Sequence, residues 1–208
     1  MDFELDPAQQ VVADLTAQLL AAHADEPAAA WKAMADAGLL ALALPERLGG
    51  DGLDAIATMV MLTETGRRTA GVPTLPTLAL GVLPLIRWGG PGADETVRRA
   101  AAGDLRLTSA LREPAGRPTV LGPGGSVTGV KTGVLDADVA DLMLVTADGT
   151  LLLVDPAAGG VRVRRTPSAG GLAEHTVTLD DAPATVLGGA DAADDLHRIA
   201  LAAAVASA

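Results

Sequence analysis

No cysteine occurs among the 208 residues. That excludes a disulfide framework, a thiolate nucleophile and any cysteine-based metal centre, and it fits a cytoplasmic setting. Aromatic residues are almost as scarce: Phe3, Trp31 and Trp88 are all there are, with no tyrosine. Aliphatic side chains and alanine must therefore fill the core, and a site that needs a stacking ring has few to draw on. Positive charge is short as well, with 15 Lys and Arg against 26 Asp and Glu, a formal net charge of -11. Such a chain repels a phosphate backbone, which argues against a nucleic-acid partner. Long unbroken apolar runs are missing too. The most apolar stretch, Gly71 to Ile86, is interrupted by Pro73, Pro76 and Pro84 and is too short to cross a bilayer, so no membrane association is expected. The opening MDFELDPAQQ is acidic and polar, unlike a secretory signal.

What is present is apolar bulk. Hydrophobic residues make up 49% of the chain, enough to build a real core and to exclude disorder. The first half reads as helices. Asp6 is a cap, Pro7 suits the first helical position and Gln9 completes a capping box, followed by Ala8, Val12, Leu15, Leu19 and Ala22 at helical spacing. A second helix opens at Asp25-Glu26-Pro27, carries Trp31 and Met34 as core residues, and is closed by Gly38. Further helices are expected over about Asp54 to Gly66, Pro76 to Ile86 and Asp94 to Ala101.

From Leu105 the hydrophobic period shortens to that of strands. Expected strands are Leu105–Leu111, Ser126–Lys131, Leu142–Thr146, Leu151–Val154, Val161–Arg165, His175–Leu179 and Thr185–Leu187. Turn signals separate them at Gly122–Gly125, Ala147-Asp148-Gly149, Asp155-Pro156, Gly159-Gly160, Gly170-Gly171 and Asp180-Asp181. This predicts a small antiparallel barrel or sandwich. A last helix starts near Asp191. The expected fold class is α+β: an all-α domain over 1–104, a β-barrel domain over 105–188, and over 189–208 the first helix of a further helical domain that is otherwise lacking. The period changes inside Leu107 to Val134 (LTSALREPAGRPTVLGPGGSVTGVKTGV), and clefts form where two packed layers meet, so chemistry is expected there.

Common catalytic motifs are not found. There is no G-x-S-x-G elbow; His23, His175 and His197 stand outside any motif, and no histidine has a metal-ligating spacing. No metal is expected and no catalytic residue is assigned. Gly122–Gly129 (GPGGSVTG) fits neither phosphate-loop pattern and reads as a hairpin turn. Arg162, Arg164 and Arg165 read as a solvated strand face.

Two groups of segments carry a resemblance. Trp31-Lys-Ala-Met-Ala-Asp-Ala-Gly-Leu-Leu and Leu44-Pro45-Glu46-Arg47-Leu48-Gly49-Gly50-Asp51-Gly52-Leu53 are similar to the N-terminal helical domain of acyl-CoA dehydrogenases. Gly103-Asp104, Ala110-Leu111-Arg112-Glu113-Pro114-Ala115-Gly116, Gly129-Val130-Lys131-Thr132 and Ala140-Asp141 resemble the middle β domain of the same family. The likeness covers nearly the whole chain but only the first half to two-thirds of a typical member; the family's C-terminal four-helix bundle would begin near Asp191.

The resemblance implies FAD held between the β and helical domains, an acyl-CoA substrate, and a carboxylate base that removes the α-proton while hydride passes to the flavin. It maps cofactor contacts onto Ser109, Ala110, Leu111, Arg112, Gly133, Val134 and Leu135, and a substrate contact onto Arg117. The departures fall on the same positions. Arg112 stands where the family has a flavin-contacting hydroxyl, and Arg117 where it has a serine. Gly133, Val134 and Leu135 stand where it has an aromatic, Ile or Val, and Thr. The base normally comes from the C-terminal bundle. Three readings stay open: a flavoprotein with a diverged pocket, a silent subunit of a homo- or hetero-oligomer with a homologous partner, and a plain β binding module with a helical cap.

Overall fold

The computed structural model describes residues 5–53, 55–168 and 172–207. The expected helix start at Asp54 and the turn at Gly170-Gly171 lie outside the described residues.

Helix α1 (Pro7–Ala22) begins as its sequence predicts. The Asp6 carboxylate accepts from Gln9 N at 2.8 Å and Gln9 Oε1 accepts from Asp6 N at 3.1 Å, closing a capping box. Its most buried face is Val12, Ala13, Thr16 and Leu20, with Leu15 and Leu19 half-buried at the flank. Helices α2 (Pro27–Asp36), α3 (Ala55–Arg67), α4 (Leu83–Trp88) and α5 (Asp94–Ala101) follow. Trp31 and Met34 are core residues, 4% and 0% exposed.

The helix expected over Pro76 to Ile86 is instead a π-helical segment, Thr74–Val82, that tightens into α4. Two contacts account for the wider turn. Gly81 lies so close to β1 that a β-carbon there would meet the Leu107 side chain, with Cδ1 at 2.8 Å. Thr77 Oγ1 donates to Leu107 O at 3.2 Å and accepts from Leu107 N at 3.3 Å. The segment is thus docked on the strand through its own polar groups.

The α+β class is as expected. The sheet differs from a closed antiparallel barrel. Its strands are β1 (Leu107–Ala110), β2 (Val120–Leu121), β3 (Ser126–Leu135), β4 (Leu142–Ala147), β5 (Thr150–Val154), β6 (Val161–Arg165) and β7 (Glu174–Gly188), ordered β1-β4-β5-β7-β3-β2 with β6 also on β7. The β1–β4 pair is parallel, so the sheet is mixed, and the path is open. The two strands expected at His175–Leu179 and Thr185–Leu187 are one strand. Asp180-Asp181 is a kink within it, with Asp181 at φ 51°, not a turn. Through this kink β7 pairs with β3 and β6 by its first part and with β5 by its last.

The two faces of β4 and β5 separate two cores. Met143, Val145, Leu152 and Val154 point into the β core, with Ala110, Val127, Val134 and Val177. Leu144 and Leu151 point the other way, into a helical core with Leu40, Met61, Leu78, Val97 and Leu196. A sheet buried on both faces explains why these strands read as continuous apolar runs. The helical cap is therefore seated on the sheet, and β1 lies at the seam, with Leu107 in one core and Ala110 in the other. The last helix, α6 (Ala190–Ala206), crosses back onto the cap. Asp195, 7% exposed, accepts from Trp88 Nε1 at 3.0 Å and faces Arg87 at 3.3 Å and Arg198 at 3.6 Å.

Candidate functional site

The seam brings the expected site residues together. Arg112 and Thr132 form an isolated antiparallel bridge, in which Thr132 N donates to Arg112 O at 2.9 Å. A register shift on β3 between Lys131 and Val134 leaves Gly133 at φ 63°, a glycine bulge that reverses which residues point inward. Lys131 is inward before it and Val134 is inward after it, each 0% exposed.

The two β1 hydroxyls at the seam are already engaged in the fold. Ser109 Oγ donates to Leu80 O at 2.6 Å, tying β1 to the π-helical segment. Thr108 Oγ1 donates to Leu135 O at 2.5 Å, tying β1 to β3. Ser109 and Ala110 pair with Leu144 and Val145 of β4. Ala110 and Val134 are fully buried in the β core, and Leu111 packs at the edge of the helical core. Arg112 is exposed, and its guanidinium lies against the backbone of Gly133. A β-carbon at 133 would stand 2.8 Å from Arg112 Cζ and 3.1 Å from Nε. Arg117 is exposed on a turn in which its N donates to Pro114 O at 3.1 Å, away from the Arg112–Gly133 contact along the chain.

The sequence reading missed the group that holds this loop in place. Lys131 is wholly buried. Its Nζ donates to Glu113 Oε1 at 2.6 Å and to Thr146 Oγ1 at 3.3 Å, and Glu113 Oε1 also accepts from Thr119 N at 3.1 Å. Burial works to raise the Glu113 carboxyl, but the hydrogen bonds from Lys131 and Thr119 outweigh it and hold the group below its ordinary value. Burial pushes the Lys131 ammonium below its ordinary value against the pull of Glu113. A signal was there to find: Lys131 is in phase with Val127 along β3, which places its charge on the core side.

Beside the seam, His175 pairs with Val134 across the ladder and is 1% exposed, its Nε2 3.2 Å from Asp138 Oδ1 without hydrogen-bond geometry. Asp136, half-buried and at φ 50°, is raised above the ordinary carboxylate range by burial and by Asp138, with His175 and Arg106 opposing. His23 is the C-terminal cap of α1, and His197 lies midway along α6 with its Nδ1 2.8 Å from Ala193 O. Among the described residues no cluster of three potential metal ligands exists, and no helix is long and apolar enough to cross a membrane. Three cavities of about 250, 290 and 380 Å³ lie on the helical cap, and no seam residue lines them.

A helical cap seated on a mixed β sheet is the architecture this chain shares with acyl-CoA dehydrogenases. The N-terminal domain model of that family matches residues 6–103. Acyl-CoA dehydrogenase FadE28 of Mycobacterium tuberculosis is 41% identical over 184 residues, 86% of this chain and 53% of its own length. The ChsE4–ChsE5 complex of the same organism superposes with a TM-score of 0.91 at 30% identity, over 100% of this chain and 64% of that one. A Tcur3481–Tcur3483 steroid ACAD superposes at 0.87 with 32% identity, over 96% and 62%. The chain belongs to the acyl-CoA dehydrogenase family, and it spans about half the length of FadE28, 53%.

The residues present do not suit an isoalloxazine ring. No aromatic side chain stands at 133, no hydroxyl at 112 or 135, and the hydroxyls of Thr108 and Ser109 are bonded within the fold.

Proposed function

We propose that this chain is a subunit of a hetero-oligomeric acyl-CoA dehydrogenase whose homologous partner holds the FAD and carries out the α,β-dehydrogenation of an acyl-CoA thioester. The flavin, when bound in the partner, supplies the hydride acceptor. This chain contributes a cap-and-sheet body whose own seam does not seat the ring. The observation that carries the reading is the state of the seam: the Thr108 and Ser109 hydroxyls are internally bonded, a glycine stands at 133, and the Arg112 guanidinium lies on that glycine. Two of the similar solved structures are described as two-component assemblies, which supports a paired arrangement here. One of them is described as a steroid ACAD, and we extend that to a steroid-borne acyl thioester as the substrate class of the assembled enzyme. The proposal keeps the division into 1–104, 105–188 and a third part from 189, and a cytoplasmic location.

The alternative, a flavoprotein with a diverged pocket, would have to bind through the backbone of Ser109–Leu111 and Val134–Leu135. Against it, the Leu135 carbonyl already accepts from Thr108, and the Ser109 hydroxyl is spent on Leu80 O. The test is a visible spectrum of the chain purified alone and after co-expression with a homologous full-length partner. A colourless chain that is recovered in a yellow complex supports the proposal. A chain that is yellow by itself refutes it.

A further inference from the structure

We infer that Arg112 is a built-in occupant of the seam: its guanidinium fills the space left by the missing side chain at Gly133 and keeps a planar ring from entering. This rests on the reading above and deepens it, by naming the residue that closes this chain's seam.

The exchange of sizes is reciprocal. By the family resemblance, position 133 would carry an aromatic ring and position 112 a hydroxyl; this chain has a glycine and an arginine there. The two changes meet in space, since Cζ and Nε of Arg112 lie 2.8 and 3.1 Å from where a β-carbon of residue 133 would stand. A guanidinium is planar and weakly hydrated, so it packs flat against backbone and aromatic surfaces where an ammonium would seek water.

Its position is fixed from behind. The Arg112 carbonyl is held by Thr132 N at 2.9 Å. The next residue, Glu113, is pinned by Lys131 Nζ at 2.6 Å and Thr119 N at 3.1 Å. The backbone at 112 is therefore held against β3, which keeps the root of the side chain beside the bulge. Nor is the guanidinium drawn off by an acid. Among the described residues Arg112 makes no ion pair, although nine of the other cations do, from Lys32–Asp36 to Arg198–Asp195.

Riboflavin is the appropriate probe. It carries the ring without phosphates, so losing a positive charge does not alter long-range attraction. Quenching of its fluorescence would be titrated with the purified chain and with Arg112→Ala, Arg112→Lys and Gly133→Ala. Arg112→Ala empties the space. Arg112→Lys keeps the charge but loses the planar fork. Gly133→Ala places a β-carbon in the guanidinium's position and displaces it by a second route. All three are expected to bind riboflavin about tenfold or more tighter than the parent chain, a difference of about 1.4 kcal/mol. Because Arg112 is exposed, the two substitutions there are expected to retain the parent circular-dichroism spectrum. Equal riboflavin affinity in the parent and in folded Arg112→Ala overturns the inference while leaving the partner-subunit reading intact. A parent chain purified with bound flavin would instead refute the reading beneath it.

Discussion

Cutting Glu113 back to alanine removes the acidic partner of a fully buried ammonium. Lys131 has 0% side-chain exposure, and its Nζ would keep a single bond, to Thr146 Oγ1 at 3.3 Å. Removing one member of a buried ion pair costs about 3–5 kcal/mol, because the other charge stays desolvated and uncompensated. In a domain of this size 1 kcal/mol moves Tm by about 2–4 °C, so Glu113→Ala is expected to lower Tm by roughly 6–20 °C. Lys131→Met is the control. It fits an apolar stem of similar length into the same space, and it leaves Glu113, 31% exposed, with water and the Thr119 amide. Its cost should stay below about 1.5 kcal/mol. The double variant should match Lys131→Met alone, since Glu113 has no buried cation to serve once the lysine is gone.

The pH dependence has a definite sign. Glu113 is depressed when folded, so its contribution is present above its ordinary value of 4.5 and is lost as pH falls below it. Lys131 is also depressed, so the unfolded chain binds its proton more readily. Its part of the stability rises as pH climbs from the folded value toward the ordinary 10.5. Calorimetry of the three variants between pH 4 and 9 measures both. Glu113→Ala no worse than Lys131→Met would refute the reasoning.

Gly81→Ala should destabilise by about 1–3 kcal/mol through collision with Leu107, and pairing it with Leu107→Ala should recover part of the loss in denaturant melts. Asp195→Ala should cost about 1–3 kcal/mol by orphaning Trp88 Nε1 and freeing Arg87 and Arg198, with a shift in tryptophan emission; Asp195→Asn, which keeps an acceptor, should cost less. Asp136 is raised when folded, so its ionisation opposes folding as pH rises above 3.8. Asp136→Asn, which tolerates the left-handed backbone, should therefore raise Tm at neutral pH, and the gain should fade below that value.

Local chemistry made much of the fold legible. The Asp6–Gln9 box, the Trp31–Met34 core stripe and most strand positions follow from capping and period alone. What escaped has a physical cause in each case. The Asp180-Asp181 pair looks like a turn, yet Asp181 takes a left-handed kink that lets β7 continue into a second pairing. The parallel β1–β4 pair depends on which strands meet after a crossover, which alternation does not encode. The π-helical segment is set by docking of Gly81 and Thr77 on β1, a tertiary effect. Lys131 looks like a solvent residue by type, and only its phase with Val127 betrays it. At the site, the resemblance brought Arg112 and Gly133 to one place, and the structure joins them. It could not show that the arginine lies on the glycine, because that depends on the Lys131–Glu113 anchor behind it.

The most direct measurement is the flavin content of the purified assembly of this chain with its homologous partner, dialysed against excess FAD and counted per heterodimer. One flavin per pair is predicted, carried by the partner. Two per pair would contradict the account, because the second ring would have to occupy the seam that Arg112 fills.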